Sequence, residues 1–392
     1  MKYTALRDVC EINMGQSPDS SSYNEEGRGI PFFQGNADFG ERNPVTRVWC
    51  DAPSKIAKAN DILISVRAPI GAVNYATETC CIGRGLAAIT PDLNRVSSEY
   101  VFWLLKGKNA ELNSKGTGST FKAINRKALE EIQVPAISLE EQEAYAANLE
   151  AVYKIVQLRK QQLSELDDLI KARFVEMFGD IIRNDKGWRQ YIFSDIATSR
   201  LGKMLDAKQQ TGKNRYPYLA NFNVQWFRFE LESLNKMDFD ESDRVEFELK
   251  DGDLLVCEGG EIGRCAVWHN EVQPCFFQKA LHRVRCNTNI VLPEYLARWF
   301  QFNCDHNGFS EIEGAKATIA HLPGAKLKAL HVVVPPTDLQ QEYISYIRQI
   351  DKSKSVIQKA IDETQLLFDS LMQKYIGREK EIVDEEHNIY NW

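Results

Sequence analysis

Two stretches of the chain carry apolar residues at helical spacing without a single Pro or Gly. In residues 138–178, Leu149, Val156, Leu163, Ile170 and Met177 recur every seven positions, with Val152 and Leu166 in the offset row. That is the seam of a helix which packs against another helix. Ser138 and Glu141 are spaced as a capping box at its start, Pro135 lies just upstream and Gly179 just downstream. Residues 338–376 repeat the arrangement, with Ile347, Ile361, Phe368 and Tyr375 in one row and Ile350, Ile357 and Leu371 in the other. An Asp338/Gln341 capping pair follows Pro335 and Pro336, and Gly377 ends the run. At a rise of 1.5 Å per residue each helix is roughly 60 Å long.

The remainder has period-two or continuous short apolar runs, such as GIPFFQGN, NDILISV and CIGRGLAAIT, broken by Gly, Pro, Asn and Asp. These predict a strand-rich domain over residues 1–137, interrupted by a helix near SSEYVFWLLKG. The second half then repeats the first in order. Gly15-Gln16 answers to Gly202-Lys203, IPFFQGN (30–36) to YPYLANFN (216–223), and NDILI (60–64) to GDLLV (252–256). Ile70-Gly71 answers to Ile262-Gly263, SEYVFWLL (98–105) to PEYLARWF (293–300), and IQVPAISL (132–139) to VVVPPTDL (332–339). One such match is noise, but six in sequence are a duplication. The predicted fold is α+β: two similar strand-rich domains (1–137 and 179–336) joined by an antiparallel two-helix coiled coil (138–178 with 337–377), with pseudo-twofold symmetry and an acidic tail at 378–392.

Composition narrows the function classes. No 18-residue apolar run and no secretory pattern occurs, so the expectation is a cytoplasmic protein without membrane contact. The nine cysteines show neither CxxC nor CxxH spacing and are expected as reduced thiols. The net charge of −7 conceals segregation. From Arg200 to Arg228 the net charge is +5, and from Glu230 to Asp253 ten acids face Lys236, Arg244 and Lys250, a net of −7. Catalytic patterns are missing. The only Asn-Pro is Asn43-Pro44, no GxxxxGK[ST] loop occurs, and Asp240 with Glu248-Leu249-Lys250 lacks the frame of a nuclease. No metal site is expected.

Two variable-looking domains alternating with two long helices, entered through IQVPAISLEEQ and VVVPPTDLQQE, resemble the specificity subunit of type I DNA restriction–modification systems. Val134-Pro135-Ala136 and Gln341-Glu342 depart from the family's usual Pro-Pro and Glu-Gln. The resemblance implies a non-catalytic DNA-recognition subunit in which each globular domain is a target recognition domain for one half of a split double-stranded site. It implies that the helices set the spacing and dock two DNA adenine methyltransferase subunits, joined by a restriction/translocase subunit. S-adenosylmethionine, ATP and magnesium would then belong to those partners.

Base edges and phosphates are met by Arg, Lys, Asn, Gln and hydroxyl side chains on framed loops. In the first domain the candidates are Gln16, Ser17, Gln34, Asn36, Arg67 and, in the loop KGTGSTFK, Lys115, Ser119, Thr120 and Lys122. In the second they are Lys203, Lys208, Lys213, Asn214, Arg215, Asn221, Asn223, Glu258, Arg264, Lys316 and Thr318. Two alternatives stay open: the recognition subunit of a two-component restriction enzyme with a fused nuclease-methyltransferase, and a coiled-coil scaffold that binds no DNA.

Overall fold

The computed structural model describes residues 2–117, 122–205, 210–309 and 321–377. They form two compact units, one of residues 1–161 with those from 357 onward, the other of residues 162–356. Each long helix contributes one end to each unit.

In the first unit, a four-stranded antiparallel sheet runs in the order Cys10–Met14, Leu86–Pro91, Ile62–Ser65, Val73–Tyr75. Alternation splits its side chains between two cores. Ile62, Ile64 and Ile89 face Tyr100, Val101 and Trp103 of helix Ser98–Gly107, whereas Leu63, Leu86 and Ala88 meet Phe33 and Ile82 on the other side. Burial on both faces explains why Ile62–Ser65 reads as an unbroken apolar run. A second sheet contains Ile30–Phe33, which lies parallel to Cys80–Ile82. Tyr3–Ala5 pairs with Gln133–Pro135, the strand that leads into the first long helix.

The second unit repeats this wiring. Ala197–Leu201, Leu281–Cys286, Leu254–Cys257 and Cys265–Val267 form a sheet of the same order, Arg215–Leu219 lies parallel to Phe276–Phe277, and Arg189–Ile192 pairs with His331–Val334. Even single bonds recur. Gly15 N–H donates to the Leu86 carbonyl at 2.9 Å and Gly202 N–H to that of Leu281 at 3.0 Å.

Both long helices, Leu139–Phe178 and Thr337–Ile376, have 40 residues. Each stops at a glycine in the left-handed region, Gly179 at φ 74° and Gly377 at φ 68°, a backbone that L side chains rarely adopt. Ser138 and Glu141 exchange the two bonds of a capping box at 3.3 and 3.0 Å. The second helix already begins at Thr337, so Asp338 lies inside the first turn and the expected Asp338/Gln341 cap is corrected. Inside each unit the two helix ends run antiparallel. Tyr145 stacks on Tyr375 at 4.1 Å and Tyr153 lies beside Phe368 in the first; Phe174 meets Tyr343, and Lys354 bonds Asp167 at 2.5 Å, in the second.

Of the seam positions, Leu149, Val156, Ile170, Ile347, Ile361 and Tyr375 are buried, and Val152, Leu163, Leu166, Met177, Ile350, Ile357, Phe368 and Leu371 are half-buried. The helix ends also serve the heads. Leu149 and Tyr375 belong to the core around Trp103, and Ile170 and Ile347 to that around Tyr295. Beside the apolar positions Arg159 reaches the Ala360 carbonyl and Thr364, a polar contact within the seam.

The junction register differs from the one read in the sequence. Leu6 N–H bonds the Ile132 carbonyl and Phe193 N–H that of Leu330, so residue 132 corresponds to 330, an offset of 198 and not 200. At that offset Gln142 corresponds to Gln340. Both are buried and brace a helix start: Gln142 accepts from Ser97 N–H at 2.8 Å and donates to the Ile137 carbonyl at 3.1 Å. Gln340 accepts from Leu292 N–H at 2.8 Å and donates to the Pro335 carbonyl at 2.8 Å.

Candidate nucleic-acid interface

In the first unit the exposed polar candidates gather where the two sheets meet, around the turn Gly83-Arg84-Gly85. Gln16 N–H donates to the Ile82 carbonyl, Ser17 Oγ accepts from Arg84 N–H at 3.3 Å, and Gly85 N–H donates to the Gln34 carbonyl. Val66 N–H reaches the Gly85 carbonyl and Ala68 N–H the Lys122 carbonyl, so Arg67 and Lys122 border the same place. Crowding demands the glycines. A Cβ on Gly85 would stand 2.4 Å from the Gln34 carbonyl oxygen, and one on Gly83 2.9 Å from the Gln34 Cα. Gln16, Gln34, Arg67 and Lys122 are exposed, Ser17 and Asn36 half-buried. Lys115 is held by Glu111 at 2.6 Å on its own helical turn. Ser119 and Thr120 lie outside the described residues, as do Lys208, Lys316, Thr318 and the tail 378–392.

The second unit corrects several assignments, because the charges segregated in sequence are joined in space. Lys203 is largely buried, pairs with Asp243 and donates to the Asp238 carbonyl at 2.9 Å. Arg200 pairs with Glu246 and Arg228 with Glu230. Asn223, 1% exposed, accepts from Ala220 N–H and donates to the Glu230 carbonyl, which makes it a loop brace and not a DNA contact. Arg264 and Asn221 bond each other at 3.1 Å, and Asn221 also donates to the Gly259 carbonyl. Lys203, Asn221, Asn223 and Arg264 are thus committed inside the fold; a buried polar group without such partners would cost about 1–3 kcal/mol. Glu258 is half-buried, its N–H bonded to the Ala280 carbonyl.

What stays exposed is the loop of Lys213, Asn214 and Arg215. Its anchor is the buried Asp238, whose carboxylate accepts from Thr211 Oγ1 at 2.9 Å, Gly212 N–H at 2.6 Å, Asn214 N–H at 3.2 Å and Thr211 N–H. Burial alone would raise the Asp238 pKa, but these donors outweigh it and hold the carboxyl below its usual range. Asp238 was hidden among ten acids, with no spacing to mark it. Arg84 and its counterpart Lys279 were missed as well; the sign was a cation directly between the two glycines of CIGRGL.

Among the described residues, no cluster of His, Cys, Asp or Glu has the geometry to hold a metal ion, and no helix is long and apolar enough to cross a membrane. The described cysteines are free thiols.

The model of the type I restriction modification DNA specificity domain matches residues 1–168 and, a second time, residues 185–364. The chain belongs to that family. It is 23% identical, over 95% of its length and 91% of the relative's, to the type I restriction enzyme MjaIX specificity subunit of Methanocaldococcus jannaschii. A putative MjaX specificity subunit from the same organism is 43% identical over 40% of this chain, and that match spans 37% of the relative's length. The fold is similar to that of the type I restriction–modification S subunit of M. genitalium, with a TM-score of 0.58, 13% identity and 96% of each chain covered. A chain from a type I R-M system studied for complex assembly and conformational transition gives a TM-score of 0.59 at 15% identity, again over 96% of both. This specificity-family chain therefore carries the family domain twice, in agreement with the two units built on one sheet order.

Proposed function

We propose that each unit of this specificity-family chain reads one half of a bipartite double-stranded DNA target, and that the chain itself is not catalytic. The observation that carries this reading is the sheet order repeated in the two units, each of which also carries exposed polar and basic side chains. Two similar but non-identical readers suit a split site whose halves differ. Discrimination of about 1–3 kcal/mol per good bidentate base contact, gathered over two half-sites, suffices for sequence specificity without a strongly basic chain.

The partners proposed are two DNA adenine methyltransferase subunits and a restriction/translocase subunit, which would bring S-adenosylmethionine, ATP and magnesium. One feature of the helices supports a duplicated partner. Exposed apolar residues recur at the same offset of 198, Leu158 with Val356 and Leu169 with Leu367. Surfaces that repeat with the helix suit two copies of one protein better than two unrelated ones.

Co-expression with a methyltransferase, followed by genome-wide mapping of methylated adenines, tests the function. A split motif whose two halves change independently, each on mutation of one unit, is the expected result. A continuous motif, or none, overturns it, and binding that is insensitive to salt favours the scaffold instead.

A further inference from the structure

We propose that Arg84 and Lys279 are a matched pair of phosphate anchors, one in each unit, that hold the DNA backbone whatever bases it carries; this rests on the DNA-reading function above. The two residues occupy the same place. Each sits in the turn between the parallel strand of the second sheet (Cys80–Ile82, Phe276–Phe277) and the long strand of the first (Leu86–Pro91, Leu281–Cys286). The bonds around the turns coincide: Leu86 N–H to the Gly83 carbonyl at 3.0 Å and Leu281 N–H to the Gln278 carbonyl at 3.2 Å.

Both side chains are exposed, and among the described residues neither makes an ion pair or hydrogen bond, whereas Arg200, Lys203, Arg228 and Arg264 of the second unit are each ion-paired. The surroundings then separate anchor from reader. Around the turns the residue types diverge, Gln16 to Lys203 and Gln34 to Ala220, while the positive charge is kept as Arg84 and Lys279. Two half-sites of different sequence share only their sugar-phosphate backbone. A position that keeps charge but changes side chain therefore suits phosphate, which carries no sequence information. The turns are also held hard. Gly83 and Gly85 leave no room for a Cβ, and Ala280 adopts φ 102°, a conformation that persists only where the surrounding structure over-determines it.

The test uses the complex with its methyltransferase and fluorescence anisotropy on duplexes that carry the mapped site or either half-site scrambled. Arg84→Ala and Lys279→Ala are each expected to weaken binding roughly 3- to 10-fold on all these duplexes, lower the salt slope by about one and leave the methylated motif unchanged. Arg84→Lys should retain most of the affinity. Wild-type-like affinity and slope in both alanine variants, or an altered motif, overturns the pair while the function stands. Absence of salt-dependent binding by the wild-type complex overturns the function and the pair together.

Discussion

Asp238 gathers the exposed loop of the second unit around one carboxylate, and its role follows from where its donors come from and not from its own neighbours in sequence. Replacement by Ala frees the backbone N–H groups of residues 211, 212 and 214 and with them the aim of Lys213 and Arg215. We expect Asp238→Ala to lower methylation at the half-site read by the second unit, by on the order of tenfold, and to spare the other half-site. The pH dependence has a definite sign. A carboxyl held below its ordinary range in the folded state contributes stability above the unfolded-state pKa and loses it as pH falls through the lowered one. In thermal melts the gap between wild type and Asp238→Asn should be full near neutrality and close on strong acidification. A gap that widens in acid would refute the pinning role.

At the scale of elements, Gln142 and Gln340 do what capping residues were expected to do and more, since each ties the first turn of a long helix to the connection before it and to the start of a helix in the head. Truncation leaves the N–H of half-buried Ser97 or Leu292 without its acceptor, at a cost of about 1 kcal/mol. Gln340→Glu should cost more, because a carboxylate would then face the carbonyls of Ile290 and Pro335. Urea unfolding followed by hydrogen exchange checks this: Gln340→Ala should lower protection in residues 290–300 and leave 97–105 as in wild type, with the reverse for Gln142→Ala. Equal losses in both would show that the braces act globally. These glutamines also mark how far the sequence was legible. Heptads and fully apolar strands announce themselves, because burial imposes a period or an unbroken run. A buried Gln at a helix start looks like a solvated one, and the Pro residues of the two junctions invited a register two positions off the backbone's own. Of the interface, Gln16, Gln34 and Arg67 were visible as polar residues beside turns. The pairing of Lys203 with Asp243 was not, because forty positions of chain separate a bond that only the fold closes.

For the whole molecule, the question is how a chain of net charge −7 holds a polyanion. Ion pairing inside the second unit ties up Lys203 and Arg264, two of the cations that sequence had set aside for DNA. Among the described residues named here for DNA, Arg67, Arg84, Lys122, Lys213, Arg215 and Lys279 are exposed and outside any ion pair, whereas the exposed Lys115 is paired with Glu111. If all six met phosphates, log K would fall against log salt with a slope near −5, at about 0.9 per phosphate on duplex DNA. The isolated chain is therefore expected to bind duplex DNA weakly, with a slope no steeper than that. Its complex with methyltransferase should bind more tightly and more steeply, because further phosphate contacts must come from the partner. Titrations of both at several salt concentrations decide the matter. An isolated chain with the full slope of the complex would mean that the charges outside the described residues dominate, and that the exposed cations named here are secondary. A flat slope for both would remove phosphate from the account altogether, since no reader of base edges reaches them without first neutralising the backbone on either side.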